Sequence, residues 1–168
     1  PPTTCSILIP HTPPSALLSG LVGSEMCIRD SFSYDFKNHN LIKVDAISNY
    51  FVLFANLQNE EINNKIINRL KEYNSQKEYF FTTVNPKDKT FEETRYSRGP
   101  VWINTNSIIY QGLLDKDKNF SNLIKNKTLE LLENKKFHEY YNYKTGDCLG
   151  ANNFSWSAAL YLDLKLNN

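Results

Sequence analysis

Apolar residues recur at intervals of three and four along most of this chain, and that spacing confines it to packed amphipathic helices. From residue 43 to about 57, Val44, Ile47, Phe51, Phe54 and Ala55 fall on one face of a first helix. Asn59 reads as an N-cap for a second, followed by Glu60 and Glu61, whose charges suit the positive end of a helix dipole. Its buried stripe is Ile62, Ile66, Ile67 and Leu70, so the two helices form a hairpin with a very short connection. Trp102, Asn106, Ile109, Tyr110 and Leu113 mark a third helix, and Phe120, Leu123, Ile124, Thr128 and Leu131 a fourth. A fifth begins at Phe154 or Ser155, capped by Ser155 or Asn153, and buries Trp156, Ala159, Leu160 and Leu164. No strand-like alternation of comparable length occurs, so the expected class is all-α.

Polar stretches join these helices. The longest runs from Tyr73 to Tyr96, with Asn85-Pro86 as a turn, and loops of that length inside compact domains are often functional. Asp115 to Asn119 is a shorter polar connection.

Residues 1–30 break the pattern. Pro1 to Pro14 is Pro-rich, lacks the basic start and apolar run of a signal peptide, and is too interrupted to span a membrane. Leu21-Val-Gly-Ser-Glu-Met-Cys-Ile-Arg-Asp30 matches, residue for residue, the in-frame translation of a transposon sequencing adapter. The alternative is a native linker with one short helix. The expected boundaries are therefore an artefact over 1–30 and a single protein piece over 31–168.

That boundary leaves Cys148 as the one cysteine of the protein proper, since Cys5 and Cys27 precede it. A disulfide framework or a spaced set of metal ligands is then not expected, and Cys148 reads as a small residue in a turn. His11, His39 and His138 show no ligand spacing, so neither metal nor cofactor is expected. With 19 basic residues against 18 acidic ones, the charge gives no reason to expect a nucleic-acid partner.

Chemistry concentrates in two stretches. In Phe137-His-Glu-Tyr-Tyr141, one carboxylate, Glu139, sits among aromatics, and a Gly-punctuated turn then leads to Phe154 and Trp156. Aromatic faces suit sugar rings, and an acid held between them suits a glycosidase or a carbohydrate-binding cleft. An exposed Glu beside core aromatics accounts for those residues equally well. The second stretch, Tyr96-Ser-Arg-Gly-Pro-Val-Trp102, places Arg98 in the loop just before the third helix. The planar fork of Arg98 can hold two hydroxyls or a carboxylate; a surface ion pair is the plainer alternative. Asn104 and Asn106 can bond hydroxyls or cap backbone.

Taken together, Tyr96 to Trp102, Phe137 to Tyr141 and Phe154 to Ala159 resemble the C-terminal part of the catalytic domain of glycoside hydrolase family 63 and its mannosylglycerate hydrolase-like relatives. The resemblance covers roughly residues 34–165. Ser97 stands where that family usually has Trp, and Tyr143 where a Pro often precedes the turn. The resemblance implies a partial (α/α)6 toroid, the C-terminal helical hairpins only, in which inner helices carry site loops at one end. It also implies an inverting α-glycosidase acting on α-linked glucosides or mannosides, with Glu139 as the general base. Tyr96, Arg98, Gly99, Pro100, Trp102, Asn104, Tyr140 and Trp156 are then the substrate-binding residues. The family's general acid is an Asp far upstream, and neither Asp35 nor Asp45 resembles it, so the missing N-terminal half of the catalytic domain is the expected partner.

Two other readings use the same residues. A carbohydrate-binding helical module would need the aromatics and Arg98 but not Glu139, and a helical repeat scaffold would need a period that this chain lacks. The sequons at Asn119-Phe-Ser121, Asn126-Lys-Thr128 and Asn153-Phe-Ser155 arise readily in an Asn-rich chain. The expected compartment is the cytoplasm, with no membrane association. If residues 1–30 contribute nothing to the fold, their deletion leaves the helical circular dichroism and the melting temperature unchanged; a loss of several degrees contradicts the boundary.

Overall fold

The computed structural model describes residues 33–35, 37–55, 59–74 and 81–166. The Pro-rich stretch and adapter-like peptide of residues 1–30 lie outside them, as do 56–58 in the expected hairpin connection and 75–80 in the long polar loop. The described chain is helix-rich but not all-α. Its order is strand β1 (Ser33–Asp35), β2 (Asn40–Ile42), a 3-10 helix (Ile47–Leu53), α1 (Glu60–Asn74), α2 (Ile103–Leu113), α3 (Lys118–Lys135), β3 (His138–Tyr141), β4 (Cys148–Asn152) and α4 (Ser155–Leu166). β1 pairs antiparallel with β2, and β3 with β4. These strands escape a reading of periodicity because they are three to five residues long. Three half-buried residues precede one buried residue in β3, which leaves no two-residue alternation.

The expected first helix is also corrected. Only Ile47–Leu53 coils, as a 3-10 helix, because the residues before it are drawn into extended pairing. Ala46 bridges Val84, and the Ile47 N–H donates to the Thr83 carbonyl at 3.0 Å. In a 3-10 helix every third residue lines up, so Ile47, Tyr50 and Leu53 point inward together, while Phe54 is 56% exposed.

Helix α1 follows its sequence signals. The Asn59 side-chain oxygen accepts the Ile62 N–H at 3.0 Å, and Ile62, Ile66, Ile67, Leu70 and Tyr73 are buried. Asp117 caps α3 by accepting the Phe120 N–H at 3.0 Å. Leu123 faces outward, whereas Ile124, Thr128, Leu131 and Leu132 face the core. In α4 the expected stripe is partly wrong: Leu164 is buried, but Trp156 and Ala159 are exposed. The Ser157 hydroxyl, donating to the His138 carbonyl at 2.6 Å, turns the face of Ser157, Leu160 and Leu164 inward instead.

Helix α2 is central, packed against the 3-10 helix, α3 and α4. The main core gathers around Ile109, Tyr110 and Leu113. A second cluster, built on Val101, Ile103, Leu131, Leu132 and Tyr141, lies beneath the β3–β4 hairpin. Among the described residues no helix is long and apolar enough to cross a membrane.

Gly112 marks the closest approach of α2 to the 3-10 helix. A Cβ built there would stand 2.7 Å from the Phe54 nitrogen and 2.9 Å from the Leu53 carbonyl carbon, both backbone atoms that cannot swing aside. Alanine is the better helix former by about 1 kcal/mol, but overpacking a core costs about 1–3 kcal/mol. Gly112→Ala is therefore expected to lower the urea midpoint, and an equal or higher midpoint contradicts this packing.

Candidate active site

The site is assembled by single backbone bridges rather than by a broad sheet. Ala46 pairs with Val84, Thr82 with Val101, and Val101 with Tyr141. Val101 and Tyr141 exchange two bonds, of 2.8 and 2.9 Å. This row fixes the Tyr96–Trp102 segment against the hairpin that carries Glu139. Tyr141 is fully buried and secures the hairpin's base: its hydroxyl donates to the Lys136 carbonyl at 2.7 Å and accepts the His138 N–H at 2.9 Å. Asn142 closes the turn, its side-chain oxygen accepting from the Lys144 and Thr145 N–H groups, with Gly146 at φ 67°. Cys148 lies in β4 rather than in the expected turn, and its thiol donates to the Lys135 carbonyl at 3.1 Å.

Both oxygens of Glu139 have donors. The Tyr96 hydroxyl donates to Oε1 at 2.8 Å and the Ala151 N–H to Oε2 at 3.1 Å. Bonding to the carboxylate raises the Tyr96 phenol above its usual value. Tyr96 is itself held from several sides. The Trp102 indole N–H donates to its carbonyl at 3.0 Å. Its ring meets those of Trp102 and Tyr140 edge-on, at 4.8 and 5.2 Å between centroids. Trp102 and Tyr140 stack at 5.0 Å with an interplanar angle of 21°. Offset and edge-on pairs of this kind add about 0.5–1.5 kcal/mol each beyond their burial.

The loop that presents Tyr96 doubles back on itself. Arg95 and Arg98 both reach Glu92, at 2.9 and 2.8 Å, and these bonds hold the Glu92 carboxyl below its ordinary range. Gly99 is buried, and any side chain there would collide with the backbone carbonyls of Glu92 and Glu93. Pro100 is buried as well, its carbonyl accepting the Thr83 N–H at 3.1 Å. Glu93 fastens the loop to the hairpin by accepting from Asn142 at 3.0 Å and Lys144 at 2.9 Å. Phe91 packs edge-on against Tyr143 nearby, at 5.3 Å.

A shallow cleft opens beside Glu139, lined by Trp102, Ile103, Asn104, Phe154, Trp156, Ser157 and Leu160. The side-chain oxygen of Asn104, a residue of that lining, is buried without a hydrogen-bond partner. The structure thus brings Tyr96, Trp102, Asn104, Tyr140 and Trp156 around Glu139. Arg98, Gly99 and Pro100 instead build the loop behind Tyr96, and Arg98 is committed to Glu92. Gly150, Ala151 and Phe154 belong to the site and were not among the expected site residues. The one signal for the first two is an isolated Gly in what proves to be a strand, which points to a bulge. Among the described residues no group of three or more His, Cys, Asp or Glu is placed to hold a metal.

A carboxylate with both oxygens held, beside an aromatic-walled cleft, is the equipment of a glycoside hydrolase. Residues 29–157 match the model of the mannosylglycerate hydrolase MGH1-like glycoside hydrolase domain, and the chain belongs to that family. It is 34% identical over 134 residues to a mannosylglycerate hydrolase of Thermus thermophilus, covering 78% of this chain and 32% of that enzyme. To mannosylglycerate hydrolase MGH1 of Selaginella moellendorffii it is 32% identical over 116 residues, covering 67% and 23% respectively. The crystal structure of a family 63 mannosylglycerate hydrolase from Thermus thermophilus with Tris superposes with a TM-score of 0.79 at 32% identity, over 87% of this chain and 37% of that one. The structure of that enzyme with Tris and D-glycerate gives 0.72 at 34% identity, over 78% and 32%. The chain thus spans a third or less of the length of these curated relatives.

Tyr141 makes the hairpin's base sensitive to alkali. Burial pushes its phenol from 10.0 up to about 12, so the native state keeps a proton that the unfolded chain has released. The corresponding stability is complete below pH 10 and is lost as the pH rises towards 12. Tyr141→Phe removes the hydroxyl's two bonds and is expected to cost about 1–2 kcal/mol at neutral pH. It should also make the loss of stability above pH 10 shallower in alkaline denaturation; an unchanged midpoint and an unchanged alkaline slope contradict this role.

Proposed function

We propose that this chain is the base-bearing C-terminal part of an inverting α-glycosidase of the mannosylglycerate or glucoside-cleaving type, and that its helices are an arc of an (α/α)6 toroid. The observation that carries this reading is the carboxylate of Glu139, exposed to an aromatic-lined cleft and oriented through both of its oxygens. In an inverting reaction such a group deprotonates the water that attacks the anomeric carbon, while an acid roughly 6.5–9.5 Å away protonates the leaving oxygen. The acid comes, in this reading, from the part of the relatives' fold that this chain does not span. Asp35 is tied into its own turn by Lys37 and Asn38, and Asp45 by Asn85 and Tyr50, and neither lines the cleft.

Trp102, Tyr140 and Trp156 supply faces for sugar rings, and Asn104 an acceptor for a hydroxyl. Arg98 reaches a substrate only by leaving Glu92. Crystal structures of the Thermus thermophilus mannosylglycerate hydrolase in complex with glucose, and with Tris and D-glycerate, support a glycosylated glycerate as substrate. In the complete enzyme, Glu139→Gln keeps size and removes the proton acceptor, so turnover of mannosylglycerate should fall roughly 100-fold to 10,000-fold with little change in affinity. Near-normal turnover refutes the assignment of Glu139 as the base.

A further inference from the structure

Glu139 does not lie in a regular ladder. His138 pairs with Asn152, and Tyr140 with Leu149, so the single residue Glu139 faces two residues of β4, Gly150 and Ala151. That extra residue is a β-bulge. Gly150 has φ 70°, the left-handed region that disfavours a side chain. A Cβ built on it would stand 2.6 Å from Glu139 Oε2, 2.6 Å from Tyr140 Cε1 and 2.8 Å from the Glu139 Cβ. The carboxylate therefore rests against the bare α-carbon of Gly150. The hairpin needs no such kink to close, because its turn lies at Asn142–Asp147 and has its own left-handed glycine, Gly146. The Ala151 N–H is spent on Glu139 Oε2 at 3.1 Å, and Tyr96 fills the other oxygen.

We propose that the Gly150–Ala151 bulge and the Tyr96 hydroxyl form a seat that fixes the plane of the Glu139 carboxylate, making Gly150 and Tyr96 positioning residues for the general base. A carboxylate has about four lone-pair sites, and two donors leave two for the attacking water and a sugar hydroxyl. A methyl group on Gly150 meets Oε2, the edge of the Tyr140 ring and the Glu139 Cβ together, and it pushes Oε2 off the Ala151 N–H. The inference rests on the reading of Glu139 as base.

The test is a double-mutant cycle in the complete enzyme with mannosylglycerate. Gly150→Ala should lower kcat about 100-fold, the loss that a misplacement of about 1 Å brings, and Tyr96→Phe roughly tenfold. KM should stay within about twofold in Tyr96→Phe, whereas Gly150→Ala, which also meets the Tyr140 ring, can raise it alongside the loss of kcat. In a Glu139→Gln background neither change should lower the residual rate further, because each acts through the carboxylate. Retained kcat, a rise in KM alone, or losses that multiply in the Glu139→Gln background overturn the seat. If Gly150→Ala does not fold, Tyr96→Phe carries the cycle by itself, since it removes one hydroxyl. If Glu139→Gln keeps its turnover, the base assignment falls and the seat is judged by crystallography: it stands if Gly150→Ala breaks the Glu139–Ala151 bond and falls if that bond remains.

Discussion

Two hydrogen bonds exchanged between Val101 and Tyr141 hold this arrangement together. They join the loop that carries Tyr96 and Trp102 to the hairpin that carries Glu139, segments some forty residues apart in sequence. Both residues are buried in the cluster beneath the hairpin, away from competing water. Burial makes an unmade backbone bond costly, by about 1–3 kcal/mol for an unsatisfied group. The pairing is thus strongly specified although it is one residue wide.

Around that pairing, polarity is sorted by depth. The aliphatic cluster and the ring of Tyr141 lie inside, and the charged loop that clasps the hairpin lies outside. The pairs Arg98–Glu92 and Lys144–Glu93 are solvent-exposed and contribute little individually, as exposed ion pairs do. Their effect is geometric, since together they hold the Glu92–Gly99 turn closed behind Tyr96. The carboxylate of Glu139 stands at the boundary between these zones, with donors on the protein side and the cleft on the other.

Much of this was legible in the sequence where one signal repeats over many residues. Helices α1, α2 and α3 each run for more than ten residues, and Asn59 caps α1 as a polar residue ahead of an apolar stripe should, while the cap of α3, Asp117, was read only as part of a polar connection. The strands were not legible, because each is five residues or fewer and is stabilised by partners distant in sequence. The first helix failed for a related reason: its N-terminal half pairs with Val84 and Thr83, a tertiary demand that overrides local periodicity. At the site, the crowding of aromatics around Glu139 was visible, and so was the Tyr96–Trp102 segment. Arg98's partner was not, since Glu92 meets it only through a loop that folds back. Gly150 offered only the signal of an isolated glycine, because the bulge it occupies is defined by strand register.

The role proposed for Glu139 is to activate water for a single displacement. The most direct measurement is proton NMR of the sugar released in the first minutes by the complete enzyme from an α-linked substrate, before mutarotation. Attack by water from the face opposite the leaving group predicts that the β-anomer appears first. First appearance of the α-anomer would contradict it, since retention requires a covalent intermediate and a carboxylate acting as nucleophile rather than base.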